Sequence, residues 1–217
     1  MGIPIAKLIC ASNENKVLFD FFCTGTYDRN REFVLTESPS MDILISSNLE
    51  RLIYLISGRN ADKNCELMEE LRTKGSYGIT EEMKAKLSDF AAGYASAQEM
   101  KQAIRDTFEN TGYVMDTHTA VASCVCAQYR EESGDETKCL IASTASPYKF
   151  VGSVMRAIDA EYAGRDEFEL VDELEKLSQV AVPNAVKEIR DAKILHTREC
   201  DADKMKETVK EILEIEV

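Results

Sequence analysis

The sequence predicts an α/β fold with a mostly parallel sheet and flanking helices, on three observations. Short apolar runs alternate with helix-length amphipathic stretches, the order that builds a parallel sheet. The first run, "IPIAKLICAS", is almost continuously apolar, like a strand buried on both faces. Several intervening stretches carry helix start and stop signals, the clearest being Ser96 with Glu99 three residues on and Gly112 at the far end.

The elements follow in order. "SNENK" is a polar turn, and "KVLFDFFCTG" a short helix ended by Gly25. "TYDRNREFVLTESPS" is a polar, turn-rich loop. Ile43, Leu44 and Ile45 then give way to a helix whose apolar stripe is Leu49, Leu52, Ile53 and Ile56. "DKNCELMEELRTKG", "ITEEMKAKLSDF" and "SAQEMKQAIRDTFENTG" read as three helices. "THTAVASCVCAQYREESG" is a fourth, entered through Asp116, Thr117, His118 and Thr119. A strand "KCLIAS" follows, then a helix from Pro147 to about Tyr162 and another around Glu167 to Gln179. "AVPNAVKEI" is a hinge with a short helix, "AKILHTREC" a strand, and "DADKMKETVKEILEI" an amphipathic helix capped by Asp201. Neither an internal repeat nor a low-complexity tract appears, and residues 1–217 read as a single α/β domain.

Composition narrows the function classes. The net charge is -13 with no basic face, which argues against a nucleic-acid partner. No window is long and apolar enough to span a membrane, and "MGIPIAKLIC" lacks the features of a signal peptide, so a cytoplasmic location is expected. The 7 cysteines are odd in number, scattered and without a Cys-x-x-Cys pair, as in a protein whose thiols stay reduced. With 2 histidines, a clustered-His metal site is not expected. No Gly-x-Gly-x-x-Gly loop occurs to cradle a phosphate.

The most suggestive stretch is "CLIASTASPYKF", where an apolar run breaks into Ser143, Thr144, Ala145 and Ser146 before Pro147. One reading is a strand-to-helix turn, with Ser146 as N-cap and Pro147 in the first turn. The other is a ligand site, because ligands in open α/β sheets sit outside the carboxyl ends of the strands. Asn13 and Asn15 follow the first strand, where they serve either the local turn or a substrate. Asp116 and His118 form a helix cap or a catalytic pair. Cys124 and Cys126 are two apart on a helix, so their side chains point away from each other.

Four segments taken together carry a resemblance. "GIPIAKLICASNENKVLFDFFCTGTYDRNR", "SPSMDILISSNLERLIY", "TGYVMDTHTAVA" and "IASTASPYKF" occur in the order of the C-terminal half of threonine synthase, which they resemble. They cover most of the first 150 residues; from about residue 160 the likeness rests on element order. Threonine synthases are pyridoxal-phosphate lyases of the second fold type in threonine biosynthesis, converting O-phosphohomoserine and water to threonine and phosphate. The resemblance matches Met1 to Pro4 with the turn that ends the family's phosphate-site helix. It therefore puts the Schiff-base lysine and the phosphate loop in a preceding portion, and this chain alone is expected to be inactive. It excludes Lys149 as that lysine, assigns no catalytic residue and no metal site, and makes Thr144 the cofactor-binding residue, its hydroxyl on the pyridine nitrogen. A hydroxyl hydrogen-bonds that nitrogen without holding it protonated, as a carboxylate would, so the electron sink is weaker. The family's usual Ala-Thr-Ala-His-Pro-Ala-Lys-Phe differs here at Ser146 and Tyr148.

Two other readings accompany this one. The chain could be an autonomous α/β binding or interaction module that keeps the fold without catalysis, or an enzyme using Thr144 and His118 with a partner chain. In the fragment reading the apolar run Ile3–Cys10 loses its cover and self-association is expected, most simply as a two-fold dimer, the alternative being a local rearrangement of the first ~60 residues.

Overall fold

A computed structural model describes residues 4–215. The sequence reading of the Met1 to Pro4 turn falls largely outside those residues, as does Ile3, the first residue of the apolar run. The chain divides into two compact units, one to Val182 and one from Pro183.

In the first unit, β1 (Leu8–Ser12) leads through a turn to α1 (Val17–Thr24). Gly25 closes α1 in the left-handed conformation (φ 80°), donating its N–H to the Phe21 carbonyl as expected of a glycine C-cap. The short β2 (Thr26–Asp28), α2 (Leu49–Ile56), α3 (Ala61–Lys74) and β3 (Ser76–Gly78) follow. β2 and β3 form an antiparallel ribbon with Tyr27 opposite Tyr77. The two rings stack at 5.3 Å over a core of Val17, Phe21, Ile53 and Leu67, all essentially solvent-free. The Tyr27 hydroxyl donates to the Leu44 carbonyl at 3.0 Å and accepts the Ser46 N–H at 2.7 Å. This pins Ile43–Ile45 as irregular chain leading into α2.

α4 (Glu81–Ala85) is only five residues long. It leads to β4 (Phe90–Tyr94), which pairs parallel with β1 in the register Leu8↔Phe90 to Ser12↔Tyr94. α5 (Ala97–Thr111) starts with the expected capping box of Ser96 and Glu99 and ends at Gly112 (φ 73°). α6 (Thr117–Ser133) packs on β1 and β4. Gly93 permits that approach, because a Cβ there would lie 2.7 Å from Val125 Cγ1 of α6. α7 (Val151–Ile158) and α8 (Glu167–Ser178) complete the first unit. The second unit holds α9 (Asn184–Arg190) and α10 (Met205–Ile212).

The α/β class and the parallel pairing stand, but the parallel sheet has two strands among the described residues. Several expectations are corrected. Lys138–Ser143 is not a strand: it runs as irregular, mostly exposed chain, with Leu140 96% exposed. An apolar run becomes a strand only where another strand takes its N–H and C=O groups, and no described strand lies alongside. Residues 192–200 fail as a strand for the same reason. β1 is found where expected, yet it is not buried on both faces, since Leu8 is 44% and Ile5 63% exposed. The helix expected over "ITEEMKAKLSDF" gives up Phe90 to β4. The helix from Pro147 to Tyr162 is broken into a 3-10 turn (Pro147–Phe150), α7 and a second 3-10 turn (Ala160–Tyr162). Asp201 precedes a 3-10 turn without a side-chain capping bond. No helix among the described residues is long and apolar enough to cross a membrane.

Candidate ligand site beside β1 and the start of α6

β1 ends in Ser12, and the next polar residues turn inward: Asn13 and Asn15 are both buried. Their partners are tertiary. The Asn13 amide nitrogen shares its two protons among Asp42 Oδ1 (2.7 Å), Thr36 Oγ1 (2.9 Å) and Ser38 Oγ (3.0 Å). Asn15 donates to the Val34 carbonyl (2.7 Å) and to Asp42 Oδ1 (3.0 Å), and accepts the Val34 N–H (3.0 Å). Asp42 also accepts the backbone N–H and the hydroxyl of Thr36. Buried polar groups must find partners, and here they do so by fastening the segment 34–42 over the carboxyl end of β1. Glu37, within that segment, is held by Lys101 of α5 at 2.8 Å, with Arg156 of α7 at 3.9 Å.

The fastened segment contains a 3-10 turn, Pro39–Met41, that aims the Ser40 N–H at His118 Nε2 (3.1 Å). Because Nε2 accepts, the ring proton sits on Nδ1, which lies 3.3 Å from both Asp116 Oδ1 and Thr117 Oγ1. The ring packs on Phe150 with centroids 4.8 Å apart. Asp116 caps α6 through the N–H groups of His118 (2.9 Å) and Thr119 (3.2 Å), and also accepts the Thr119 hydroxyl. Thr119 Oγ1 is 2.9 Å from Ser143 Oγ. Its one proton is committed to Asp116, so the Ser143 hydroxyl supplies the proton between them.

The chain of contacts thus runs from the end of β1, through segment 34–42 and the start of α6, to the hydroxyl turn. Ser146 caps the 3-10 turn as expected, accepting the Tyr148 N–H at 3.3 Å with Pro147 in the first turn. Tyr148, buried, donates its hydroxyl to the Val180 carbonyl. Thr144 lies between Ser143 and Ser146 on exposed chain, and its hydroxyl has no hydrogen-bond partner among the described residues. No strand delivers it, contrary to the expectation.

Of the residues singled out in the sequence, Asn13, Asn15, Asp116 and His118 are joined in one polar frame, and all four have partners that hold backbone in place. Cys124 and Cys126 point apart: Cys124 donates to the Glu99 carbonyl (3.2 Å) and Cys126 meets Cys139. Burial pushes the Cys10 and Cys124 thiols up to about 11. Burial, then the Cys139 contact, do the same to Cys126. Thr36, Ser40, Asp42 and Thr119 escaped the sequence reading as partners. The only signal for Ser40, Asp42 and Thr119 was membership of the "SPSMD" and "D-T-H-T" stretches, and Thr36 had none beyond its place in the polar loop. No group of His, Cys, Asp and Glu suited to a metal occurs among the described residues.

Residues 119–200 match the family model "Threonine synthase, C-terminal". The chain is 42% identical over 160 residues to human threonine synthase-like 1, a match covering 73% of this chain and 21% of that protein. Its fold is similar to that of yeast threonine synthase, with a TM-score of 0.80 and 28% identity over 99% of this chain and 43% of the yeast chain. A threonine synthase solved with pyridoxal phosphate bound, from Brucella melitensis, gives a TM-score of 0.67 and 36% identity over 72% of this chain and 33% of that one. The chain spans between a fifth and two fifths of the length of the curated relatives it matches.

Fold and sequence together define a partial domain of the second fold type of pyridoxal-phosphate enzymes. Within that class, the chain corresponds to the C-terminal portion of threonine synthase.

Proposed function

We propose that this chain contributes the C-terminal portion of a cytoplasmic threonine synthase, which converts O-phosphohomoserine and water to threonine and phosphate. Identity of 36% to a pyridoxal-phosphate-bound threonine synthase, over 72% of the chain, is the observation that carries the reading. Bound pyridoxal phosphate supplies the electron sink for such a reaction. In this reading Thr144 donates its hydroxyl to the pyridine nitrogen and leaves that nitrogen unprotonated. The free, exposed hydroxyl fits such a role, because nothing else in the described chain competes for it.

The Asn13, Asn15 and Asp42 frame holds segment 34–42, and through His118 and Thr119 it orients the turn that carries Ser143 and Thr144. These are positioning residues. By itself the chain retains no cofactor and turns over no substrate, and it self-associates through its uncovered apolar edge. The test is to mix the chain with pyridoxal phosphate, remove the excess by gel filtration and measure the cofactor retained. None is expected on the chain alone, and one equivalent on a complex with the N-terminal portion of a threonine synthase. One equivalent retained by the chain alone would overturn the division of labour.

A further inference from the structure

Residues 135–143 run back along α6 from its end towards its start. Arg130 Nε donates to the Asp135 carbonyl and the Tyr129 hydroxyl to the Asp135 carboxylate, both at 3.3 Å. Ser143 meets Thr119 at the other end. Midway, Cys139 lies against Cys126, with the two sulfurs 2.8 Å apart. Cys126 is buried on α6, and Cys139 is exposed. The contact is flanked on both sides by hydrogen bonds that hold the segment on the helix, so the two thiols stay at high effective concentration.

We propose that Cys126 and Cys139 form a reversible intramolecular disulfide that fastens the segment carrying Ser143 and Thr144 to α6. A disulfide bond is about 2.05 Å long, so closure needs a shift of roughly 0.8 Å, which the exposed Cys139 chain can supply. No other two of the described cysteine sulfurs are in hydrogen-bond contact.

The oxidant is a low-molecular-weight disulfide, such as oxidised glutathione. Cys139 meets it first: its thiolate attacks one glutathione sulfur, and the other glutathione leaves as a thiolate that takes up the proton Cys139 lost. Cys126 then gives up its proton and attacks the Cys139 sulfur of the mixed disulfide, expelling the second glutathione. Two protein thiols are oxidised and one glutathione disulfide is reduced to two thiols. The raised Cys126 thiol makes the second step the slow one and speeds it as pH rises. A bridged segment could not move off α6, so oxidation would fix the position of Thr144. That consequence rests on the role proposed for Thr144, whereas the bridge itself does not.

The test uses the full chain in a Cys124→Ser background, because Cys124 shares a tryptic peptide with Cys126. The chain is treated with oxidised glutathione, free thiols are blocked, and unreduced peptides are mapped. Peptides 106–130 and 139–149 should be linked to each other as their major product. The link should be lost on reduction and absent in Cys139→Ser, an exposed change that leaves the fold in place. A persistent glutathione adduct on Cys139 with no link would overturn the proposal, as would a link from Cys126 to any other cysteine. Because the readout is a covalent link, it is independent of cofactor binding and of turnover.

Discussion

The Ser40 N–H donates to His118 Nε2 at 3.1 Å across 78 residues of sequence, joining the segment over β1 to the first turn of α6. This bond decides the role of His118. A histidine whose Nε2 already accepts a backbone proton, and whose Nδ1 faces the Asp116 cap, serves as a brace. His118→Ala should leave a part-buried N–H unpaired and remove the ring from Phe150, costing about 1–3 kcal/mol. Urea unfolding measures this as a lower midpoint at unchanged slope. A loss near zero would show that the brace is dispensable.

Asp42 gathers donors from Asn13, Asn15 and Thr36. Asp42→Ala removes the acceptor and strands several of those donors, so a loss of about 2–4 kcal/mol is expected, more than one ordinary hydrogen bond contributes. Hydrogen exchange should rise selectively at the amides of Val34 and Thr36. Unchanged protection there would contradict the frame.

Thiol reactivity should split the cysteines into two classes. Cys10, Cys124 and Cys126, pushed up to about 11, should alkylate near pH 8 on the order of 100-fold more slowly than an ordinary exposed thiol. Exposed Cys23, Cys65 and Cys200 should react first. The sign for stability follows. The unfolded chain loses these protons near the ordinary value of 9.0, while the fold keeps them to about 11. Between those values the folded state binds more protons, so stability should fall as pH rises through that window. Flat stability from pH 9 to pH 11 would contradict the burial of these thiols.

The edge of β1 away from β4 has no partner among the described residues, and Ile5 and Leu8 are exposed beside it. Covering a few hundred Å2 of apolar surface is worth several kcal/mol at about 25 cal/mol per Å2, less the cost of association. A concentration-dependent dimer is expected in sedimentation. A strict monomer with amides 8–12 protected from exchange would show that the chain covers this edge itself.

What could be read from sequence was what local chemistry decides. Ser96 with Glu99, Asp116, Gly25 and Gly112 mark helix ends because caps satisfy nearby backbone groups. The apolar stripe from Leu49 to Ile56 marks a buried helix face. Strands depend on neighbours. Phe90–Tyr94 has three small residues between two aromatics, without alternation, and is a strand because β1 lies beside it, while the apolar run in Lys138–Ser143 has no such neighbour and stays irregular. The site divides in the same way. Asn13, Asn15, Asp116 and His118 stood out by type and place, but Ser40 and Asp42 act through bonds between distant segments, which no local pattern marks.

The central claim, that this chain is the C-terminal portion of a threonine synthase, is tested most directly by phosphate release from O-phosphohomoserine. The chain is combined with the N-terminal portion of the Brucella melitensis enzyme, with each part alone as control. The expected result is phosphate and threonine in equal amounts from the complex only. In that complex Thr144→Val should lower turnover by about 10-fold, roughly 1.4 kcal/mol of barrier, with assembly unchanged. Release by the chain alone, failure of the two parts to associate, or an assembled complex that releases no phosphate would contradict it.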